Sequence, residues 1–232
     1  LMTYPKEFYS KIRFLFEHQN VIFVCTTDGL LTYSARIDNI SGIKFFRNER
    51  SPYRADGLSN NNVMRIFKDR HGNLYAVEYG GGFSRILSKN YLSDHLIFKS
   101  YSEKEGLLSD LALSMVEDKN GYLWIFMERG ISKFNPHEET FVNFKNDFFM
   151  RDFSISECMP VVDSHGDIWI GTDMGYLSFS PICLTKRHYI PYIVFTEVKS
   201  QNKIFKSSRY DNNKLEIKPD ERSFSIQFAA LD

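Results

Sequence analysis

The chain has little of what staples or specialises a small domain. Its 232 residues contain three cysteines, Cys25, Cys158 and Cys183, with no CxxC or Cys/His spacing. An odd count provides no complete disulfide framework, and the spacing excludes a common zinc motif. No apolar run approaches the roughly 20 residues that a membrane-crossing helix needs. An excess charge of one sign is also missing, because 29 Lys and Arg balance 29 Asp and Glu. That argues against nonspecific nucleic-acid binding, which requires a cationic surface. No window sustains a helical period, so long amphipathic helices are not expected. A signal peptide is absent and the first residue is Leu1, so the sequence reads as part of something longer.

Aromatic residues are abundant, at 16% with 21 Phe and 13 Tyr. Some of them recur in a pattern. Asp-x-x-Gly-x-aliphatic-aromatic occurs at 69–75 (DRHGNLY), 118–124 (DKNGYLW) and 163–169 (DSHGDIW). A degenerate copy at 17–23 (EHQNVIF) has Gln19 in place of Gly. Aligned without gaps, the four copies place Gly29, Gly81, Gly130 and Gly175 six residues after the aromatic. The aromatics Phe23, Tyr75, Trp124 and Trp169 are 52, 49 and 45 residues apart. A period in this range marks a repeat architecture.

Each unit reads as four short strands. In the second, 62–68 and 74–77 flank the Asp-x-x-Gly turn, and 83–87 and 96–101 follow a glycine-rich turn. In the first unit the strands are expected at 12–16, 21–25, 29–33 and 43–46. Asp bonds its local backbone, and Gly accepts a positive φ. Four-stranded antiparallel units of about 45 residues are β-propeller blades. The fold class is therefore all-β: about four blades over 1–183, with units near 9–46, 57–101, 106–144 and 154–180. The repeated aromatics are expected to pack blade on blade. The fourth unit lacks an obvious outer strand; Thr3–Phe8 could supply it and close a four-bladed ring, or could be the outer strand of a preceding blade outside this sequence. Open end blades would expose apolar faces and strand edges, an invitation to self-association.

The rhythm stops after Pro181. A basic connector, LTKRHYIPY at 184–192, leads to strand-like alternation at 193–198, 215–217 and 223–229. Three strands can begin a β-sandwich, but an immunoglobulin-like domain needs about seven. Residues 184–232 are read as a linker and the first strands of such a domain.

These segments resemble a known arrangement. GLSNNNVMRIFKDRHGNLYAVEYGGGF (57–83), GLLSDLALSMVEDKNGYLWIFMERGI (106–131) and DSHGDIWIGTDMGYL (163–177) resemble the regulator propeller repeat. PYIVFTEVKSQNKI (191–204) with FSIQFAALD (224–232) is similar to the start of the triple-tyrosine, immunoglobulin-like domain that follows such propellers. That order resembles the periplasmic sensor region of hybrid two-component systems of gut Bacteroidetes. The resemblance implies a seven-bladed parent propeller and a parent sensor histidine kinase with a response regulator. It also implies a homodimer in the parent and an oligosaccharide ligand whose sensing regulates glycan-utilisation genes. The membrane would be reached only through a parent segment outside this chain. Gln19 and Phe126-Met127 depart from the repeat consensus.

Catalytic chemistry is not expected. His18, His71 and His165 recur in equivalent turns of different blades, so they would not converge on one metal ion. Asp69, Asp118 and Asp163 sit where turn residues belong. Gly80–Gly82 has no following helix or Lys, so it is a turn rather than a phosphate cradle. No cofactor, metal site or catalytic residue is expected.

Topology supplies one further inference. In a meandering blade, the loop entering the first strand and the turn between the second and third share a face, opposite the Asp-x-x-Gly turns. That face gathers Thr26, Thr27, Asp28, Asn60, Asn61, Glu78, Tyr79, Ser109, Asp110, Glu128, Arg129, Glu157, Thr172, Asp173 and Met174. A sugar's hydroxyls need such a mixture of donors and acceptors. The candidate ligand-binding residues are Tyr79, Arg129, Glu78, Glu128, Asp110, Asn61 and Asp173. Arg could grip a uronate and Tyr could stack on a ring. The alternative function is a protein-interaction or dimerisation propeller with no small-molecule ligand. A propeller lyase or glycosidase would need a paired-carboxylate or metal constellation, and none is found.

Overall fold

A computed structural model of the chain describes residues 11–36, 39, 42–145, 149, 153–184, 192–200, 203–206 and 224–231. The chain divides into two compact units, Leu1–Thr185 and Lys186–Asp232.

The first unit is a series of antiparallel meanders. Blade 1 comprises β1 (Ile12–His18), β2 (Val21–Thr26), β3 (Gly29–Ser34) and β4 (Phe46–Asn48). Blade 2 comprises β5 (Val63–Lys68), β6 (Leu74–Glu78), β7 (Gly82–Ile86) and β8 (Phe98–Tyr101). Blade 3 comprises β9 (Ala112–Glu117), β10 (Leu123–Met127), β11 (Gly130–Asn135) and β12 (Thr140–Lys145). Among the described residues blade 4 has three strands: β13 (Val161–Val162), β14 (Ile168–Thr172) and β15 (Gly175–Phe179). The proposed outer strand Thr3–Phe8 lies outside the described residues. These are propeller blades, as the repeat implies.

The Asp-x-x-Gly-x-aliphatic-aromatic pattern has a physical cause. Asp118 Oδ1 accepts from the backbone N–H of Asn120 (2.8 Å) and Tyr122 (3.0 Å), closing the turn. Its Oδ2 accepts from Trp124 Nε1 at 2.9 Å. Asp163 repeats this, with Oδ1 taking the N–H groups of His165, Gly166 and Asp167, and Oδ2 taking Trp169 Nε1 at 3.0 Å. In blade 2, Asp69 Oδ1 binds the Asn73 N–H (2.8 Å), while Oδ2 accepts from the Tyr75 hydroxyl (3.3 Å). The glycine of each turn has a positive φ: 82° at Gly72, 85° at Gly121 and 99° at Gly166. The acid-to-aromatic spacing is thus the reach of one carboxylate from a turn to the ring on the following strand. The turns also tie blades together: Arg70 Nη1 donates to the Lys119 carbonyl (2.9 Å), and Lys119 Nζ donates to that of Ser164 (2.6 Å).

Two ungapped alignments need correction. In blade 1, Phe16 lies opposite Phe23, whereas Phe67 lies opposite Tyr75 and Val116 opposite Trp124. The first hairpin is therefore one residue shorter, and Glu17 is not the counterpart of the turn aspartates. Gln19 and Asn20 both have positive φ, 51° and 60°, as a two-residue type I′ turn requires. In blade 2 the counterpart of Gly29 and Gly130 is Gly82 rather than Gly81, because Glu78 pairs with Gly82 as Thr26 pairs with Gly29. A Cβ on Gly82 would overlap the Tyr101 carbonyl, and one on Gly130 would lie 2.8 Å from that of Phe144. At Gly175, where no fourth strand is described, it would meet nothing within 4 Å. The outer strand of blade 1 is also displaced, beginning at Phe46 rather than Ile43.

Blades pack through aromatic rings. Phe23 packs on Tyr91 (5.2 Å between centroids), Phe83 on Phe134 (5.3 Å) and Trp124 on Phe179 (5.1 Å). Phe23, Tyr75 and Trp124 are 0–1% exposed, but Trp169 is 38% exposed. The rear faces show the converse. Ile66 and Met115 are each 3% exposed, and their blade 1 counterpart Leu15 is 58% exposed. The described blades therefore do not close on one another. Blade 4 presents Trp169, its ring 5.2 Å from that of Tyr176 and tilted to it by 38°, and blade 1 presents Leu15 and Ile12.

The second unit is one antiparallel sheet in the order β17–β16–β18, from β16 (Tyr192–Ser200), β17 (Lys203–Lys206) and β18 (Phe224–Leu231). The connector at 185–191 and the expected strand at 215–217 lie outside the described residues. No described helix is long and apolar enough to cross a membrane.

The carboxylate–aromatic bond predicts an asymmetry between the two tryptophans. Trp124→Phe leaves the buried Asp118 Oδ2 without its donor and should cost about 1–3 kcal/mol. Trp169→Phe, at a half-open face, should cost well under half as much. Urea unfolding of the two variants checks this, and equal losses would contradict it.

Candidate functional site

The face opposite the Asp turns is a rim stitched by backbone hydrogen bonds. In blades 1 to 3, the turn between the second and third strands is bonded to the loop entering the next blade. Gly29 N–H donates to the Asn61 carbonyl (2.7 Å), and Gly80 and Gly82 both donate to that of Asp110 (2.9 and 2.8 Å). Ile155 N–H donates to the Glu128 carbonyl at 2.9 Å. The β-bridge between Tyr79 and Leu111 belongs to the same stitching.

The candidate residues occupy different parts of this rim. Tyr79 and Glu128 meet across blades 2 and 3, where the phenol donates to Glu128 Oε1 at 3.1 Å. That bond raises the pKa of Tyr79. Arg129 is exposed and has no polar partner among the described residues, so its fork is open to solvent. Asn61 accepts the Arg50 N–H on Oδ1 at 2.6 Å. Asp110 Oδ1 accepts the Glu103 N–H at 2.7 Å, anchoring a short 3-10 turn at Glu103–Glu105. Asp173 Oδ1 accepts the Ser154 N–H at 2.9 Å. These three carboxylate or amide oxygens shape the rim, with Glu128 and Arg129 exposed on it and Tyr79 half-buried.

Glu78 is withdrawn from the surface. It is 0% exposed, and its Oε2 accepts from the Ser59 hydroxyl and the Asn60 N–H, both at 2.6 Å. Its Oε1 is buried with no hydrogen-bond partner among the described residues. The strand-end counterparts of Glu78 are Thr26, Met127 and Thr172, each paired with the first residue of the third strand. Alternation along β6 gave no reason to place this carboxylate inside, because burial comes from the loop 59–60 folding over it.

Sequence reasoning missed Arg13. Its Nε donates to Asn62 Oδ1 (2.8 Å), and its Nη1 lies 3.4 Å from Glu157 Oε2. These contacts join the inner strand of blade 1 to the loops entering blades 2 and 4. No sequence spacing signals a meeting between residues so far apart. A cleft of about 460 Å³ lined by Arg36, Lys44, Phe46 and Leu92, among others, lies by the end of β3 that faces away from this rim. The described residues contain no group of three or more potential metal ligands. Cys25 is buried, which pushes its thiol up to about 12, so it is not a ready nucleophile.

No family model matches the chain, and no curated protein matches it. Solved structures do. One is the extracellular domain of the hybrid two-component system BT3049 from B. thetaiotaomicron, at 18% identity and a TM-score of 0.53. That match covers 99% of this chain and 36% of the other. A second is PorZ, a surface component of the type-IX secretion system of Porphyromonas gingivalis, at 11% identity and a TM-score of 0.52. It covers 96% of this chain and 39% of the other. The likeness is one of fold. The chain spans somewhat more than a third of the length of these structures.

Burial raises the Glu78 carboxyl from its ordinary 4.5 to about 7. Because the folded value exceeds the unfolded one, this group's contribution to stability is complete below about pH 4.5 and fades as pH rises through about 7. Glu78→Gln should keep the acceptor for Ser59 and Asn60 but remove that slope. The variant should be more stable than the wild type at pH 8 by on the order of 2–3 kcal/mol. Denaturant midpoints from pH 5 to 8 test this, and parallel profiles would show that Glu78 does not titrate in the window.

Proposed function

We propose that this chain is a noncatalytic sensor fragment from the periplasmic part of a hybrid two-component histidine kinase and response regulator. The observation that carries the reading is the match to the BT3049 extracellular domain, which runs through 99% of this chain. In this reading the blades belong to a seven-bladed propeller, and the sheet β16–β18 opens an immunoglobulin-like sandwich. The parent forms a homodimer. The ligand is an oligosaccharide held at the rim, and its release from larger glycans would be the signal. Tyr79, Glu128 and Arg129 supply a ring face, an acceptor and a charged fork, and such a set suits a sugar bearing a carboxylate. Signalling requires only that the ligand bind one arrangement of the parent more tightly than another.

A second reading has its own observation. The exposed apolar faces at Trp169 and Tyr176, and at Ile12 and Leu15, favour a protein-interaction propeller with no small-molecule ligand.

Calorimetric titration of defined neutral and acidic oligosaccharides separates the two readings, with the whole extracytoplasmic region and this chain measured in parallel. An acidic oligosaccharide should bind, and Arg129→Ala or Tyr79→Ala should weaken it roughly tenfold, about 1.4 kcal/mol. Wild-type affinity in both variants would remove the rim from the site. Absence of any sugar binding, together with capture of a protein partner, would favour the second reading.

A further inference from the structure

Three oxygens stand in a row beside the enclosed Glu78. Its Oε2 lies 2.6 Å from the Ser59 hydroxyl oxygen, which lies 2.8 Å from the Gly81 carbonyl oxygen. The hydroxyl carries one hydrogen, and a carboxylate and a carbonyl can only accept. With Glu78 ionised, Ser59 serves one of the two acceptors, and the other contact sets lone pair against lone pair at hydrogen-bonding distance. With Glu78 protonated on Oε2, the acid donates to Ser59 and Ser59 donates to Gly81, so both contacts are made. Oε2 still accepts the Asn60 N–H at 2.6 Å, as a hydroxyl oxygen can. The buried Oε1, with no hydrogen-bond partner among the described residues, is then a neutral carbonyl oxygen, which costs less to bury than a charged one.

The surroundings do not hold a negative charge in place. Segment 58–62, folded over the carboxyl, carries no charged side chain. On the adjoining strands and turns the titratable and charged groups are engaged elsewhere. The Arg65 guanidinium lies over the Phe14 ring at 5.8 Å, and Arg85 donates to Asn73 Oδ1 at 2.5 Å. Lys68 stands at the other end of β5, opposite Leu74. Asp28 is paired with Arg47 at 2.5 Å, Asp110 takes the Glu103 N–H, and the Tyr79 phenol donates to Glu128. The Cys25 thiol is neutral, since burial pushes it up to about 12. Burial is also the main influence on Glu78 and raises it to about 7, against hydrogen bonds from Ser59, Ser84 and Asn60. The Ser84 hydroxyl is itself 2.9 Å from that of Ser100.

We infer that Glu78 is a proton switch built into the rim of blade 2. Protonated, it closes segment 59–62 onto the turn 79–81. When the proton passes from Oε2 to water, the Ser59 hydrogen swings from the Gly81 carbonyl to the carboxylate. Gly81 loses its donor, and the buried charge draws water in by opening the segment. The contact has no slack: a Cβ on Gly81 would lie 2.5 Å from Ser59 Oγ and 2.8 Å from Asn60 Cβ. One proton thereby acts on both seams of blade 2. The Asn61 carbonyl takes the N–H of Gly29 in blade 1 (2.7 Å), and the Asn62 carbonyl takes the N–H of Tyr79 (2.9 Å), whose phenol reaches Glu128 in blade 3. The inference concerns the rim's own conformation and stands whether or not the rim binds a sugar.

NMR of the whole chain tests it with two readouts on the wild type. The carbon-13 shift of the Glu78 carboxyl follows the proton. Hydrogen exchange at the Asn60 and Tyr79 amides, divided by the intrinsic rate at each pH, follows the segment. The carboxyl should titrate at about 7. Protection of both amides should be level below that midpoint and fall about tenfold or more above it. Glu78→Gln, which cannot ionise, should keep protection level up to pH 8.5. A carboxyl titrating near its ordinary 4.5 would overturn the inference, as would protection that ignores the titration. The same fall in Glu78→Gln would assign it to another group and overturn the inference as well. Should Glu78→Gln fail to fold, the two wild-type midpoints decide: coincidence supports the switch and separation refutes it.

Discussion

The structure depends on a carboxylate that does two things at once. In the second, third and fourth blades an aspartate closes a turn with one oxygen and holds the ring of the next strand with the other. Asp69 and Asp118 are buried, at 4% and 1% exposure. Buried carboxylates are tolerated only when their lone pairs are occupied. Turn geometry and ring placement are therefore coupled. A residue that closes the hairpin also sets the aromatic that packs on the next blade, which is why spacing from acid to aromatic is constant while the rest of the unit drifts.

That coupling sits at one end of the strands and leaves the other end free to vary. At the rim the turns differ: blade 2 gains a residue at 79–81, and Glu78 stands where other blades have Thr26, Met127 or Thr172. Backbone bonds from Gly29, Gly82 and Ile155 carry the joining there, so side chains need not. Glu128 and Arg129 are left exposed there, and Tyr79 is half-buried. The blades are additive in the way of repeat proteins, in which each unit depends on its neighbours. Blade 4 shows the bond without a covering blade among the described residues: its Trp169 keeps its aspartate bond yet remains 38% exposed.

Much of this was legible in the sequence because a repeated turn repeats its chemistry. Asp, Gly and aromatic at fixed offsets fixed the units and nearly all strands, and the meander placed the rim residues on one face. Ungapped alignment failed where the local backbone changed length. Gln19 and Asn20 shorten the first hairpin with two left-handed residues, and the extra residue at Tyr79–Gly81 moves the close-packed glycine to Gly82. Glu78 was misplaced at the surface because its burial comes from a loop in the same blade and not from strand alternation. Arg13 and Arg65 gave no signal, since what they meet is decided by how blades converge around their inner strands. No offset along the chain encodes that convergence.

With only two tryptophans in the chain, the central claim can be read from two resonances. Hydrogen exchange of the two indole N–H groups, followed by NMR, compares the same carboxylate bond in a covered blade and in an uncovered one. The account predicts strong protection at Trp124, approaching that of global unfolding, and exchange at Trp169 faster by orders of magnitude. Fast exchange at Trp124, or equal protection at both rings, would contradict the claim that the carboxylate holds a ring which the next blade buries.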